Sequence, residues 1–338
     1  MTRGEPPGEE RNLASVLRSL RRRIMTPDVS ETKLATRGFH VKSDAARELL
    51  ETVGESFLTG FAHAVEARTT AEAEERLEQI PRQFRGFAYE GAGMGFGILD
   101  VMPFSGGRKV ADFLAGRGDE HVYMVYVGVG WAMARLPRFL WPKLHAPDPL
   151  LRWLALDGYG FHQAYFKTAQ YVHGQYQDPK FTWPGGGSSE YANRVIDQGI
   201  GRAMWFVGGT DPDVVASLIG GFPEHRRADM YAGAGLAASY ACGAEEDELH
   251  RLAEHAGPYR PQLFQGSVFA AEARLRAGLV VPHTLLATSV FCGTTPEQAA
   301  RISADNLPDQ PIHGDVPAYE VWRARIADQF VSLGGVSQ

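Results

Sequence analysis

The sequence predicts an all-α protein, an irregular helical-hairpin repeat in the manner of a TPR-like α-solenoid or an α/α toroid. Three observations carry the prediction. A Gly-x-Gly pair in apolar, helix-forming surroundings recurs at Gly91/Gly93, Gly128/Gly130, Gly158/Gly160, Gly199/Gly201 and Gly233/Gly235, and once more at Gly266 with Val268 in place of the second glycine. The starts lie 37, 30, 41, 34 and 33 residues apart, the spacing of two-helix repeat units. Between the pairs stand helix-start signatures, Asp148-Pro149, Asp211-Pro212 and Thr295-Pro296, with a capping side chain followed by proline at the first helical position. Alternating β-branched runs are absent, the nearest fragment being Leu279-Val280-Val281.

In order along the chain, residues 1–10 read as a polar tail. Residues 11–85 form an N-terminal helical arm. It opens with a basic amphipathic helix in which Leu13, Val16, Leu17, Leu20 and Ile24 keep helical spacing among Arg18, Arg21, Arg22 and Arg23. That pattern fits either an arm packed on its own domain or a docking helix for an anionic membrane. A second helix runs from Ser43, a fair N-cap, to Glu66, and a third covers 70–80 before Pro81. Residues 86–310 are the helical-repeat core, interrupted by the Gly- and Pro-rich loop 179–189, and residues 311–338 close the chain with a helix whose Tyr319, Trp322, Ile326 and Phe330 share one stripe. The uncharged run Val122 to Ala134 is a buried core helix, because a bilayer needs ~20 apolar residues.

Composition removes several function classes. Net charge is −6, with 34 basic and 40 acidic residues, the opposite of what phosphate-backbone binding requires. Two cysteines, Cys242 and Cys292, each before a glycine, provide neither a disulfide framework nor a zinc site. With no signal peptide visible, the expectation is a soluble cytoplasmic protein. The sequence holds no HExxH, no Gly-x-Ser-x-Gly and no Gly-Lys-Ser/Thr, so no metal, nucleotide, other cofactor or acyl-enzyme serine is expected. Gly233-x-Gly235-x-x-Ala238 approaches a dinucleotide fingerprint, but no strand precedes it. Six copies suit helix packing better: glycine inside a helix costs ~1 kcal/mol against alanine, and a close helix contact compensates.

Polar residues beside the glycines are the candidates for chemistry. Glu90 precedes Gly91, Asp157 precedes Gly158, Asp197 stands two before Gly199, and Gln265 precedes Gly266. If these helices line one surface, their acids converge on one cavity, with raised pKa values that suit general acids. Asp157, Glu90 and His162 are the catalytic candidates, His162 because it stands one turn from Tyr165 and Phe166. Trp131, Tyr159, Phe161, Tyr165, Arg202 and Trp205 are the substrate-binding candidates. Cation–π pairs are expected between Arg202 and Trp205 or Phe206, and between Trp131 and Arg135. For each polar residue, capping a helix or pairing with an arginine is the competing role.

The motifs Tyr89-Glu90-Gly91, His121-x-Tyr123-Met124, Val127 through Pro137, Trp153 through Phe166, Gln198-Gly199-x-Gly201-Arg202-x-x-Trp205-Phe206, Gly233-x-Gly235-Leu236-Ala237, Gln265-Gly266 and Tyr319-Glu320-Val321-Trp322-Arg323 together resemble the UnbL-type proteins of bacterial enediyne biosynthetic clusters. The likeness runs over about residues 15–330 and departs at Cys242, where glycine is expected. It implies a setting, maturation of a polyketide polyene into an enediyne core, without naming a reaction or a catalytic residue. Two readings follow. In one, the protein binds or converts a long apolar polyene, by acid–base isomerisation or cyclisation. In the other, it is a non-catalytic helical scaffold for other proteins of the cluster, with the basic helix as a docking arm. A peripheral membrane contact stays open in both.

Overall fold

The computed structural model describes residues 8–103, 106–308 and 316–334, and among them every regular element is helical. The chain forms α1 (Gly8–Met25), α2 (Leu34–Arg37), α3 (Asp44–Glu66), α4 (Thr70–Leu77), α5 (Arg82–Val101), α6 (Lys109–Leu114), α7 (Val122–Arg135) and α8 (Leu154–Phe166). It continues with α9 (Ser189–Val207), α10 (Pro212–Gly220), α11 (Glu224–Ala241), α12 (Glu246–Ala256), α13 (Arg260–Arg276), α14 (Pro282–Cys292), α15 (Pro296–Asp305) and α16 (Ala318–Gly334). The expected caps are in place: Ser43 accepts from Ala46 N, Asp211 from Asp213 N and Val214 N, and Thr295 from Gln298 N. Asp148 Oδ1 likewise accepts from the amides of Leu150 and Leu151 and opens a short 3₁₀ turn into α8. The expected tail 1–10 lies outside the described residues except for Gly8–Glu10, which begin α1, and the boundary at 310/311 lies outside them as well.

Seven long helices, α3, α5, α7, α8, α9, α11 and α13, pack side by side in chain order, and the glycines dictate how. Two residues apart on an α-helix is about 200° of rotation, so the glycines of each pair sit on opposite flanks. The first touches the preceding helix and the second the following one. A Cβ at Gly91 would fall within 3.0 Å of the Phe57 carbonyl on α3, and one at Gly93 within 3.0 Å of the Val125 carbonyl on α7. The same holds at Gly128 and Gly130 (carbonyls of Glu90 and Ala155), Gly158 and Gly160 (Val127 and Ile196), Gly199 and Gly201 (Asp157 and Met230), and Gly233 and Gly235 (Gln198 and Leu263). The contacts are reciprocal, each helix resting its carbonyl on its neighbour's glycine. The two end helices each have one glycine in contact with a neighbour in the layer. Gly60 of α3 meets the Ala88 carbonyl ahead of it, and Gly266 of α13 meets the Ala232 carbonyl behind it. Val268 stands where no glycine contact follows. Thus α3, assigned by sequence to the N-terminal arm, is the first member of the core layer.

Neighbouring helices such as α9 and α11 run parallel. Arg194 and Asp229 pair near their first turns (2.9 Å), and Trp205 Nε1 donates to Cys242 O at their ends (2.9 Å). Cys242 itself has φ 70° and ψ −163°, a backbone conformation natural to glycine and in keeping with the departure seen in the sequence. The layer closes on itself instead of extending as an open solenoid. The end of α13 meets the starts of α5 and α7, Arg274 Nη1 donating to Gln83 O (3.0 Å) and Tyr123 Oη to Glu272 Oε1 (3.2 Å). The approach to α3 meets the ends of α9 and α11, through His40 N to Val207 O (2.9 Å) and Lys42 Nζ to Gly243 O (2.8 Å). Short helices α4, α6, α10 and α12 lie between long ones in the chain, α14 and α15 follow α13 and pack on it, and α16 packs on α13 with Tyr319, Trp322, Ile326 and Phe330 buried. Among the described residues no helix is long and apolar enough to cross a membrane.

Substitution tests the packing. Gly199→Ala, which drives a methyl into the Asp157 carbonyl, is expected to cost about 3 kcal/mol or more in chemical denaturation. Gly220→Ala, with nothing within 4 Å, is expected to be neutral or to stabilise by up to ~1 kcal/mol.

Candidate functional site

The same helical arithmetic builds a site. The residues immediately before and after a Gly-x-Gly are four apart, hence about 40° from each other and roughly perpendicular to the line joining the two glycines. On every inner helix that direction points into the ring. There the structure forms a cavity walled by Glu90 and Met94, Val127 and Trp131, Asp157 and Phe161, and by Arg202, Leu236 and Phe269 at the matching positions of α9, α11 and α13. One turn further along the same stripes stand Arg135, Tyr165, Phe206 and Tyr240, and α16 adds Tyr319 and Trp322. On α7 the lining runs from Tyr123 to Arg135, twelve residues or about 18 Å. The walls are mainly aromatic: Trp131 packs on Phe57 (4.3 Å between ring centroids) and Phe161 (5.3 Å), and Phe161 stacks on Tyr165 (5.9 Å).

Two carboxylates and one guanidinium meet in this apolar wall. Arg202 is ion-paired with Asp157 Oδ1 and lies 3.9 Å from Glu90 Oε1, its guanidinium 5.1 Å from the centre of the Phe161 ring. Gln198 Nε2 donates to Asp157 Oδ2 at 2.7 Å and to Tyr319 Oη at 3.2 Å. Asp157 therefore has both oxygens occupied. Glu90 has only the more distant flank of Arg202. Burial pushes its pKa up to about 7, against the pull of Arg202, and the charge of Asp157 adds to the rise. The Trp131 N–H lies near enough to favour the carboxylate, yet has no partner in hydrogen-bond geometry. The arrangement holds one fixed ion pair and, beside it, one carboxyl that exchanges its proton near neutral pH.

His162 also lines the cavity, edge-on to Trp131 (5.4 Å) and 4.7 Å from Phe166. Burial, with Arg135 and Lys167 nearby, pushes its pKa down to about 3, and neither ring nitrogen has a partner. It is a neutral imidazole, suited to hydrogen bonding a ligand more than to carrying protons. The structure thus brings Asp157, Glu90, His162, Trp131, Phe161, Tyr165 and Arg202 to one cavity. Tyr159 and Trp205 point elsewhere. Tyr159 stands between the two glycines of its pair, which turns it outward onto Trp141 and Phe181 (5.7 and 5.5 Å). Trp205 is four residues after Gly201, on the flank that faces α11, and its N–H is bonded to Cys242 O. The expected pairing of Arg202 with Trp205 or Phe206 gives way to Phe161, and Arg135 lies exposed at the cavity rim. Asp197 is on the outer side, held by two bonds from Arg226 (2.6 and 2.8 Å), while Gln265 is buried beside Arg323 (3.5 Å).

Sequence reasoning missed Phe57, Met94, Leu236, Phe269 and Tyr240. All but Tyr240 flank a glycine motif, so register within the motif was the available signal. Among the described residues no group of three or more His, Cys, Asp or Glu is placed to hold a metal ion.

Two outcomes follow from the electrostatics. The folded state holds a proton on Glu90 up to about pH 7, whereas the unfolded chain releases it near 4.3; stability from this group therefore falls as pH rises between those values and is flat above. Glu90→Gln is expected to be more stable than the parent by roughly 2–3 kcal/mol above pH 7 and equal to it below pH 4.5 in thermal melts. Asp157→Asn leaves the Arg202 charge without its partner and is expected to cost about 3–5 kcal/mol, with the pKa of Glu90 falling as Arg202 turns to it.

No curated protein and no solved structure matches this chain. A family of proteins of unknown function, DUF1702, matches residues 16–330, nearly the whole of the ring and its flanking helices. The chain belongs to that family.

Proposed function

We propose that this protein binds a long apolar molecule in the ring cavity and converts it by proton transfer through Glu90. The observation that carries the reading is a fully buried carboxyl, Glu90, raised to about 7, in an aromatic cavity whose lining runs the length of α7. Such a site suits a ligand that is mostly hydrocarbon with few polar atoms. The resemblance to enediyne-cluster proteins makes the conjugated polyketide polyene the substrate we propose.

The step balances without a second reagent. The O–H bond of Glu90 breaks as a C–H bond forms at one polyene carbon. The cation left on the chain faces the rings of Trp131, Phe57 and Phe161, where aromatic faces stabilise positive charge. Loss of a proton from a neighbouring carbon to the Glu90 carboxylate gives the isomer, and attack by a distant double bond before that loss gives a ring. Either way the carboxyl is regenerated. Arg202 favours the transient carboxylate from 3.9 Å, and the Asp157–Arg202 pair keeps the net local charge constant. His162 and the Trp131 N–H, both without partners, supply hydrogen bonds to any polar end of the ligand. The scaffold reading needs an open concave face, whereas the lining of this one also takes in Tyr319 and Trp322 of α16 and residues Pro27, Glu31 and Thr32.

Diphenylhexatriene, a linear polyene that fluoresces in apolar surroundings, tests the binding half. It is expected to bind at micromolar concentration, with Trp131→Ala weakening it about tenfold or more; no binding overturns the reading. A producing strain carrying Glu90→Gln tests the chemistry. It is expected to accumulate unconverted polyene by mass analysis, and unchanged product removes Glu90 from the reaction.

A further inference from the structure

α1 is packed the wrong way round for a helix of a soluble protein. On an amphipathic helix the apolar stripe turns inward. Here Val16, Leu17, Leu20 and Ile24 fall within about 100° of arc and are 56, 56, 49 and 73% exposed. The contacts to the body are made instead by the opposite, polar side. Arg21 donates through Nε to Val65 O, Arg22 pairs with Glu66 at 3.0 Å, and Ser19 reaches Glu66 at 3.4 Å. The helix is thus held in place by polar bonds to α3 while its apolar face is presented outward. Residues 15–25 contain four arginines and no acid, in a chain of net charge −6. Of the four, only Arg22 takes part in an ion pair among the described residues, and Arg23 is exposed beside the apolar stripe.

We infer that α1 docks this protein on an anionic lipid surface, with Val16, Leu17, Leu20 and Ile24 entering the boundary between headgroups and acyl chains and Arg23, on the flank of that stripe, meeting lipid phosphates. Charge complementarity selects this occupant: a stripe of four aliphatic side chains flanked by an exposed, unpaired arginine, on a segment with four arginines and no acid, is the composition of an interfacial helix. Position adds to it. α1 runs directly into the segment holding Pro27, Glu31 and Thr32, which line the cavity together with Leu58 and Phe166. The docking rests on α1 and not on the chemistry assigned to Glu90.

Flotation of the full chain with vesicles tests it, using phosphatidylglycerol mixed into phosphatidylcholine against phosphatidylcholine alone. The protein is expected to float with the anionic vesicles, to bind neutral ones far less, and to come off as salt rises. Leu17→Asp with Leu20→Asp is expected to abolish flotation with an unchanged melting temperature, because both side chains are exposed. Arg23→Gln is expected to weaken it by about fivefold. Failure to float, or flotation that survives the Asp pair, overturns the proposal. A dimer in light scattering that the Asp pair converts to monomer, with no flotation by the parent, assigns the stripe to a second copy and overturns it too. Diphenylhexatriene binding by the Asp pair is expected to match the parent, which separates this result from the fate of the cavity reading.

Discussion

The contact on which everything else rests is a backbone carbonyl of one helix lying on the glycine of the next. It brings two main chains closer than any side chain permits. It is also directional, since the pairs are spaced to place neighbours on opposite flanks of every helix. A helix that can be approached closely from only two sides joins a layer, and a layer of seven such helices returns on itself when α13 reaches the starts of α5 and α7. The inner and outer faces are left for ordinary side chains. Those between the glycines, such as Val129, Tyr159 and Ile200, go outward into the second layer; those flanking the motif go inward.

That geometry also explains why the acids have unusual properties. A residue placed just before the first glycine is carried into the ring and stripped of water, whatever its chemistry. Val127 accepts this position without penalty. Asp157 accepts it because Arg202 and Gln198 satisfy both of its oxygens. Glu90 is left with half a partner, and neutralising itself near pH 7 is how a carboxyl answers an environment that cannot hold its charge. The fixed pair and the exchangeable proton are therefore two solutions to one desolvation problem, solved on neighbouring stripes of the same wall.

Much of this was legible in the sequence, and the limits are instructive. The helical class, the caps at Ser43, Asp211 and Thr295, and the use of glycine for helix contact could be read directly, because each depends on local chemistry. So could the convergence of Glu90 and Asp157, which stand just before the first glycine of their pairs, whereas Asp197, expected beside them, is two residues before its glycine and turns outward to Arg226. Tyr159 and Trp205 were chosen for being aromatic, and aromatic content carries no direction. Which arginine meets which acid was not legible: Arg202 and Asp157 are 45 residues apart, and nothing local says that α8 and α9 are neighbours with that offset. The outward stripe of α1 was equally hidden, for periodicity reveals that a helix has an apolar face and not where that face is turned.

One consequence follows from how the array ends. Leu58 and Val268 occupy the positions where a further glycine would invite a further helix, so the two ends are chemically blunt. The circumference of the ring is then a matter of counting, set by how many segments carry glycine on both flanks. Exchange of wall residues can change what the lumen recognises while leaving its bore untouched. The bore itself changes only in whole-helix steps, by gain or loss of a complete unit between α3 and α13. Related chains that accept ligands of different girth are accordingly expected to differ in the number of glycine pairs, whereas those that differ in ligand chemistry keep the number and alter the residues beside them.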